Sequence, residues 1–161
     1  MNSLIIYYSL TGHVEHFVKE LKQKTELDVL RLETVSTSQY KGFLKYLVGG
    51  FQTSIGYNPA IKPINISFEK YDHFIFVTPV WASTYVPAFN TLIDQYDFSH
   101  KKITVISSSK ALNIDLYEKL NIKLPLSTIT RHYKIVDKEP EDQKNVVNQI
   151  LKQLKNQSFS Y

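Results

Sequence analysis

The stretch Tyr8-Ser9-Leu10-Thr11-Gly12-His13-Val14 sets two hydroxyls, a glycine and an imidazole between a short apolar run and the start of a helical pattern. Residues of these types at such a junction suit an anion. Backbone N–H groups at a helix start lack partners and carry roughly half a positive charge. A glycine lets a phosphate approach them, and Ser9 and Thr11 add side-chain donors. Serine and threonine also cap helices where no ligand binds, so the pattern alone equally admits a purely structural turn. It is not a Walker loop, because no Gly-Lys-Ser/Thr follows, and the G-x-G-x-x-G spacing is absent.

Two more stretches invite chemistry. Thr78-Pro79-Val80-Trp81-Ala82-Ser83-Thr84-Tyr85-Val86-Pro87 holds the only tryptophan, and Ser107-Ser108-Ser109-Lys110 is a run of hydroxyls. A phosphate loop beside a loop with aromatic faces suits a phosphorylated planar ring. Trp81, two residues past the proline that should end its strand, reads as a pocket-mouth residue in preference to core filling. Other reaction classes find little support. His13 and His16 stand at i, i+3 with no third metal ligand placed by spacing, and both read as structural or solvated. The serine run has no evident base, and there is no G-x-S-x-G elbow. Without cysteine, thiol catalysis, disulfides and cysteine-bound clusters are excluded. Neither a catalytic acid–base residue nor a metal site is therefore expected.

The elements that must position these stretches alternate along the chain. Leu4-Ile5-Ile6-Tyr7-Tyr8 predicts a buried strand, and Val14, Phe17, Val18 and Leu21 predict one face of a helix. Residues 27–32 alternate as an edge strand does. Tyr40, Phe43, Leu44, Leu47 and Val48 predict a helix ended by Gly49-Gly50, and a loop punctuated by Gly56, Pro59 and Pro63 follows. Residues 73–78 predict a central strand, with Pro87 opening a helix that buries Phe89, Leu92, Ile93 and Tyr96. Residues 103–106 predict a fourth strand, and Leu112, Leu116, Tyr117 and Leu120 a fourth helix. Residues 127–136, with Ile129, Tyr133 and Ile135, predict an edge strand. A last helix begins near Pro140 and buries Val147, Ile150, Leu151 and Leu154, with Glu139, Glu141 and Asp142 at its favourable end. Five strands alternating with five helices mean a parallel sheet covered on both faces. In such sheets ligands bind beyond the carboxyl ends of the strands. The three chemistry-bearing stretches follow strands one, three and four.

The 161 residues suffice for a single domain, with 43% hydrophobic and 21% charged residues as in globular proteins. The net charge of +4 arises from scattered lysines, so specific nucleic-acid binding is not expected. No membrane-length apolar run or basic leader is visible, and a cytoplasmic location is expected.

Two motifs together resemble a known family. Residues 8–14 look like the FMN phosphate loop of flavodoxins, and residues 78–88 are similar to the flavin-ring loop of a short flavodoxin-like branch. Lys41-Gly42-Phe43-Leu44-Lys45-Tyr46 and Gly49-Gly50 also look like that branch. The resemblance spans nearly the whole chain. It implies a flavodoxin-like three-layer α/β fold, strand order 2-1-3-4-5, and FMN as cofactor. By it, Ser9, Leu10, Thr11, Gly12, His13 and Val14 would hold the phosphate, the last two through backbone N–H groups. Thr78, Pro79, Val80, Trp81, Ala82, Ser83 and Tyr85 would wrap the ring, and Ser107, Ser108 and Ser109 would meet its pyrimidine edge. Three positions depart from the family pattern: Val14 replaces a usual threonine, Ser83 replaces a common glycine, and residues 107–110 lack glycine. Losing the threonine's charge-assisted hydrogen bond alone would cost roughly 1.5–3 kcal/mol. The implied activity is electron transfer with a redox partner protein or a small electron donor or acceptor. An FMN-dependent nicotinamide or quinone reductase and a cofactor-free scaffold for a protein partner are the alternatives. The chain is expected to be a monomer or a homodimer, away from membranes.

Overall fold

The computed structural model describes residues 1–35, 58–81, 83–110, 116–136 and 139–158. In chain order these form β1 (Ser3–Tyr7), α1 (His13–Gln23), β2 (Asp28–Arg31), a single 3-10 turn (Phe68–Lys70), β3 (His73–Trp81), β4 (Thr84–Tyr85), α2 (Pro87–Gln95), β5 (Lys102–Ser109), α3 (Tyr117–Lys123), β6 (Thr128–Val136) and α4 (Pro140–Ser158). The strand order is β2-β1-β3-β5-β6, all parallel, with β4 paired antiparallel to the end of β3. Counting only the five parallel strands, this is the expected order 2-1-3-4-5. The helix expected over residues 40–48 and its glycine stop lie outside the described residues.

Strand alternation divides the core in two. Leu4, Ile6, Phe74, Phe76, Ile103 and Val105 face one way and meet Val86, Phe89, Leu92, Leu116 and Leu120 of α2, α3 and their approaches. Ile5, Tyr7, Ile75, Val77 and Ile106 face the other way and meet Val14, Phe17, Val18 and Leu21 of α1 and Val146, Val147 and Ile150 of α4. Strands buried on both faces read as continuous apolar runs, which is why β1 and β3 stand out in the sequence. Each such side chain taken from water contributes about 1.5–3 kcal/mol.

Three expectations are corrected. Residues 79–81, expected in a loop, instead extend β3 beyond Thr78 into a hairpin with β4, pairing Val80 with Tyr85 and Trp81 with Thr84. Proline normally ends a strand because it lacks a donor. Here Val77 O accepts the Tyr8 N–H (3.1 Å), so Pro79, two residues on, turns its donorless nitrogen to the side where β1 has already stopped. Ser107, Ser108 and Ser109 were likewise expected in a loop, and they pair instead with Lys134, Ile135 and Val136 of β6. Serine reads as a loop former, but a neighbouring strand satisfies its backbone as well as any other residue's. Tyr117, expected on the buried face of α3, is 45% exposed; Leu116 and Leu120 fill that face. Register adds a detail that alternation alone hides. A bulge in β6 skips Thr130, so Ile129 faces the first core cluster while Tyr133 and Ile135 face the second.

Candidate functional site

The parallel register brings the three stretches to one edge. Tyr7 pairs with Val77 and Val77 with Ile106, and beyond them Thr78 pairs with Ser107 and Pro79 with Ser108. The chain therefore leaves β1, β3 and β5 side by side at their carboxyl ends. From β1 it crosses to β2 on one flank and, later, to β3 on the other. This is the topological switch point, where loops splay apart and leave a crevice.

The first stretch wraps the start of α1. Gly12 precedes the helix at φ +89°, a conformation that L side chains rarely adopt. Ser9, buried, supplies the cap from a distance: its Oγ accepts N–H bonds from Gly12 and Glu15, both 3.2 Å. Those bonds use its lone pairs and leave its proton to donate. The N–H groups of His13 and Val14, in the first turn, find no acceptor among the described residues. Leu10, Thr11 and His13 are exposed around them, whereas the Val14 side chain is 2% exposed and packs in the core with Phe17 and Leu21. Val14 thus offers the edge its backbone only.

Behind this turn stands Arg31, at the carboxyl end of β2. Its Nη2 donates to Ser9 O (3.3 Å) and its Nη1 to Glu15 Oε2 (3.0 Å). Lys19 pairs with the same carboxylate at 2.8 Å. The hydrogen bond from Lys19, joined by the charge of Arg31, holds the Glu15 carboxyl below its ordinary range. Two cations against one carboxylate leave the back of the turn positive, which favours an anion in front of it. Sequence reading did not single out Arg31, because nothing local ties a strand residue to a loop more than twenty positions earlier.

The second stretch is the β3–β4 hairpin. Thr78, buried, accepts from Val86 N–H (3.3 Å) and donates to Pro79 O (2.9 Å), tying the two ends of the hairpin together. Trp81 is half-buried; it packs against the core cluster and meets Tyr8 edge-on, ring centres 5.5 Å apart. Tyr85 turns inward, and burial, aided by the charge of Asp94, pushes its phenol up to about 12, so it stays a neutral core group. Ser83, at the exposed tip, has φ +61°. Its carbonyl accepts from Lys119 Nζ of α3 at 2.6 Å, a contact that sequence gave no sign of. Ala82 lies outside the described residues.

In the third stretch the Ser107 hydroxyl, 2% exposed, lies 2.8 Å from His132 Nε2 on β6. Its backbone stays with the strand, and Ser108 is buried beside it while Ser109 is half-buried. Away from this edge, Gly12, His13, His16, Glu20, Pro140, Gln143 and Lys144 line a groove of about 340 Å³ between α1 and α4. Only Gly12 and His13 belong to both places. Among the described residues no cluster of three or more His, Asp or Glu could hold a metal ion, and no helix is long and apolar enough to cross a membrane.

A doubly wound parallel sheet of this order, with its crevice at the β1/β3 switch point, is the flavodoxin-like fold. No protein-family model matches the chain, and no curated protein matches it in sequence. Solved structures do match. A Bacteroides uniformis protein superposes with TM-score 0.75 at 18% identity, over 91% of this chain and 97% of its own. A Lactobacillus acidophilus flavoprotein in complex with FMN gives TM-score 0.67 at 18% identity, over 91% and 97%. Oxidised flavodoxin 2 of Bacillus cereus gives 0.56 at 16% identity, over 94% and 96%. What these structures share with this chain is the fold.

Proposed function

We propose that this chain binds FMN non-covalently across the carboxyl ends of β1, β3 and β5, and that it moves electrons as a flavodoxin-like carrier. The observation that carries the reading is the first turn of α1. There a positive-φ glycine, two N–H groups without acceptors among the described residues and a positively charged backing coincide at the switch point. That donor set suits a phosphate monoester. Thr11 and the remaining Ser9 proton add hydroxyl donors, and Arg31 supports the turn from behind through Ser9 O. Trp81 and the exposed backbone of the hairpin would flank the ring, and the carboxyl end of β5 would border it. Bound FMN supplies reversible one- and two-electron chemistry; the chain's part is to orient it and limit water. The resemblance at residues 8–14 and 78–88, together with the FMN complex of a structural neighbour, supports the same assignment.

Titration of the purified, cofactor-stripped protein with FMN and with riboflavin tests this directly, followed by flavin absorbance and fluorescence. Saturable FMN binding with riboflavin at least tenfold weaker is expected, since a phosphate held by two charge-assisted bonds contributes a few kcal/mol. Equal affinity for the two would remove the phosphate role of residues 9–14. No binding of either would leave the fold as a scaffold for a protein partner. Steady turnover with a nicotinamide or quinone substrate would instead identify the loaded protein as a reductase.

A further inference from the structure

The tip of the β3–β4 hairpin is held from outside its own strands. Ser83 sits at φ +61°, a conformation that a residue with a side chain adopts only when its surroundings hold it there. Lys119 reaches from α3 and donates to the Ser83 carbonyl at 2.6 Å. One turn further along the same helix, Lys123 pairs with Asp94 of α2 at 3.8 Å. Two lysines at i, i+4 thus tether α3 to the hairpin and to the helix that follows it. The carbonyl that Lys119 grips belongs to the Ser83–Thr84 peptide, and Thr84 pairs with Trp81 across the turn. Fixing that peptide plane fixes how the hairpin presents Trp81 and its backbone to the switch-point crevice. Inside the protein, Tyr85 anchors the same two-residue strand in the core.

We propose that Lys119 is a positioning residue for the ring-binding hairpin: it holds the Ser83–Thr84 peptide in the orientation that receives the planar part of the ligand. The ligand half of this inference rests on the flavin reading above. Lys119 acts through Ser83, so its removal weakens FMN and riboflavin to the same degree; a lysine touching the phosphate would weaken FMN alone.

The test compares the full-length protein with Lys119→Met and Lys119→Arg. Hydrogen exchange without ligand is read at Thr84 and Tyr85, and Kd is measured for FMN and for riboflavin, with thermal midpoints as the control for folding. In Lys119→Met, exchange at Thr84 is expected to rise about fivefold and both dissociation constants to rise together by about fivefold, the scale of one hydrogen bond. Lys119→Arg is expected to restore both, and the thermal midpoint to stay within a few degrees. Unchanged exchange at Thr84 overturns the proposal. So does faster exchange with unaltered affinities, or a loss confined to FMN. Failure of the unmodified protein to bind either flavin overturns the flavin reading and the ligand half of this proposal, while the exchange data still decide whether Lys119 holds the hairpin.

Discussion

Gly12 has φ +89°, and no atom beyond its own stretch of chain lies within 4 Å of where its Cβ would sit. Backbone conformation, not crowding, therefore excludes other residues there. Gly12→Ala is expected to lower the unfolding free energy by about 1–2 kcal/mol, read as an earlier urea midpoint at unchanged slope. Asparagine tolerates positive φ better and should recover part of the loss. His73 makes a different prediction. It is buried at the start of β3, between Ser3 Oγ (3.0 Å) and Thr104 Oγ1 (2.9 Å). Burial, with the nearby charge of Lys102, lowers its pKa from 6.5 to about 4. The fold thus holds the neutral imidazole, and the unfolded chain takes up a proton first. Stability from this residue is complete above about pH 7 and is lost as pH falls from 6.5 towards 4, by about 3 kcal/mol in all. Urea unfolding at pH 7 and pH 4.5 should show the drop. His73→Asn should be less stable at pH 7 and should lose less between the two pH values.

For α1, Ser9 matters more than its place outside the helix suggests. Its hydroxyl accepts from the Gly12 N–H and from the Glu15 N–H, the latter a group that Gly12, having no side chain, cannot cap. Ser9→Ala is expected to cost about 1–2 kcal/mol and to raise amide exchange at Gly12 and Glu15 ahead of the rest of α1. Val14 tests the opposite substitution. Restoring the threonine that the resemblance would place there puts a hydroxyl on a side chain that faces the core. Val14→Thr is expected to destabilise by about 1–2 kcal/mol without tightening FMN; tighter FMN binding would show that the residue can turn outward. The faces of α1, α2 and α4 were legible from spacing alone, because Phe17, Leu21, Phe89, Leu92, Val147 and Ile150 recur where a helix must bury them. The hairpin was not legible, because Pro79 and Ser83 carry the local signature of a loop.

Across the whole molecule, one aromatic cluster locks the sheet to its α2 side. Phe74, fully buried on β3, meets Phe98 at 5.0 Å, Phe68 at 5.3 Å and Tyr71 at 6.1 Å between ring centres. Phe98 in turn meets Phe76 at 5.3 Å. Phe74→Ala leaves a cavity under three elements at once and is expected to cost about 3–5 kcal/mol, visible in the denaturation midpoint. The central strand shares its cavity with both the 3-10 turn and the segment after α2. The loss is therefore expected as one cooperative transition, by near- and far-ultraviolet circular dichroism alike.

The sequence by itself determined the alternation of strands and helices and the three stretches that follow strands one, three and four; the order of the sheet came from the resemblance carried by residues 8–14 and 78–88. The alternation follows from local periodicity, and the parallel sheet covered on both faces follows from the alternation. Tertiary structure alone decided that Ser9 caps a helix it does not belong to, that Val14 faces inward, and that Arg31, Lys119 and His132 meet Ser9, Ser83 and Ser107. The physical reason is range. Periodicity reports which face of an element is buried, whereas a hydrogen bond between side chains or carbonyls far apart in sequence depends on register and on where a helix lands, which no short stretch encodes.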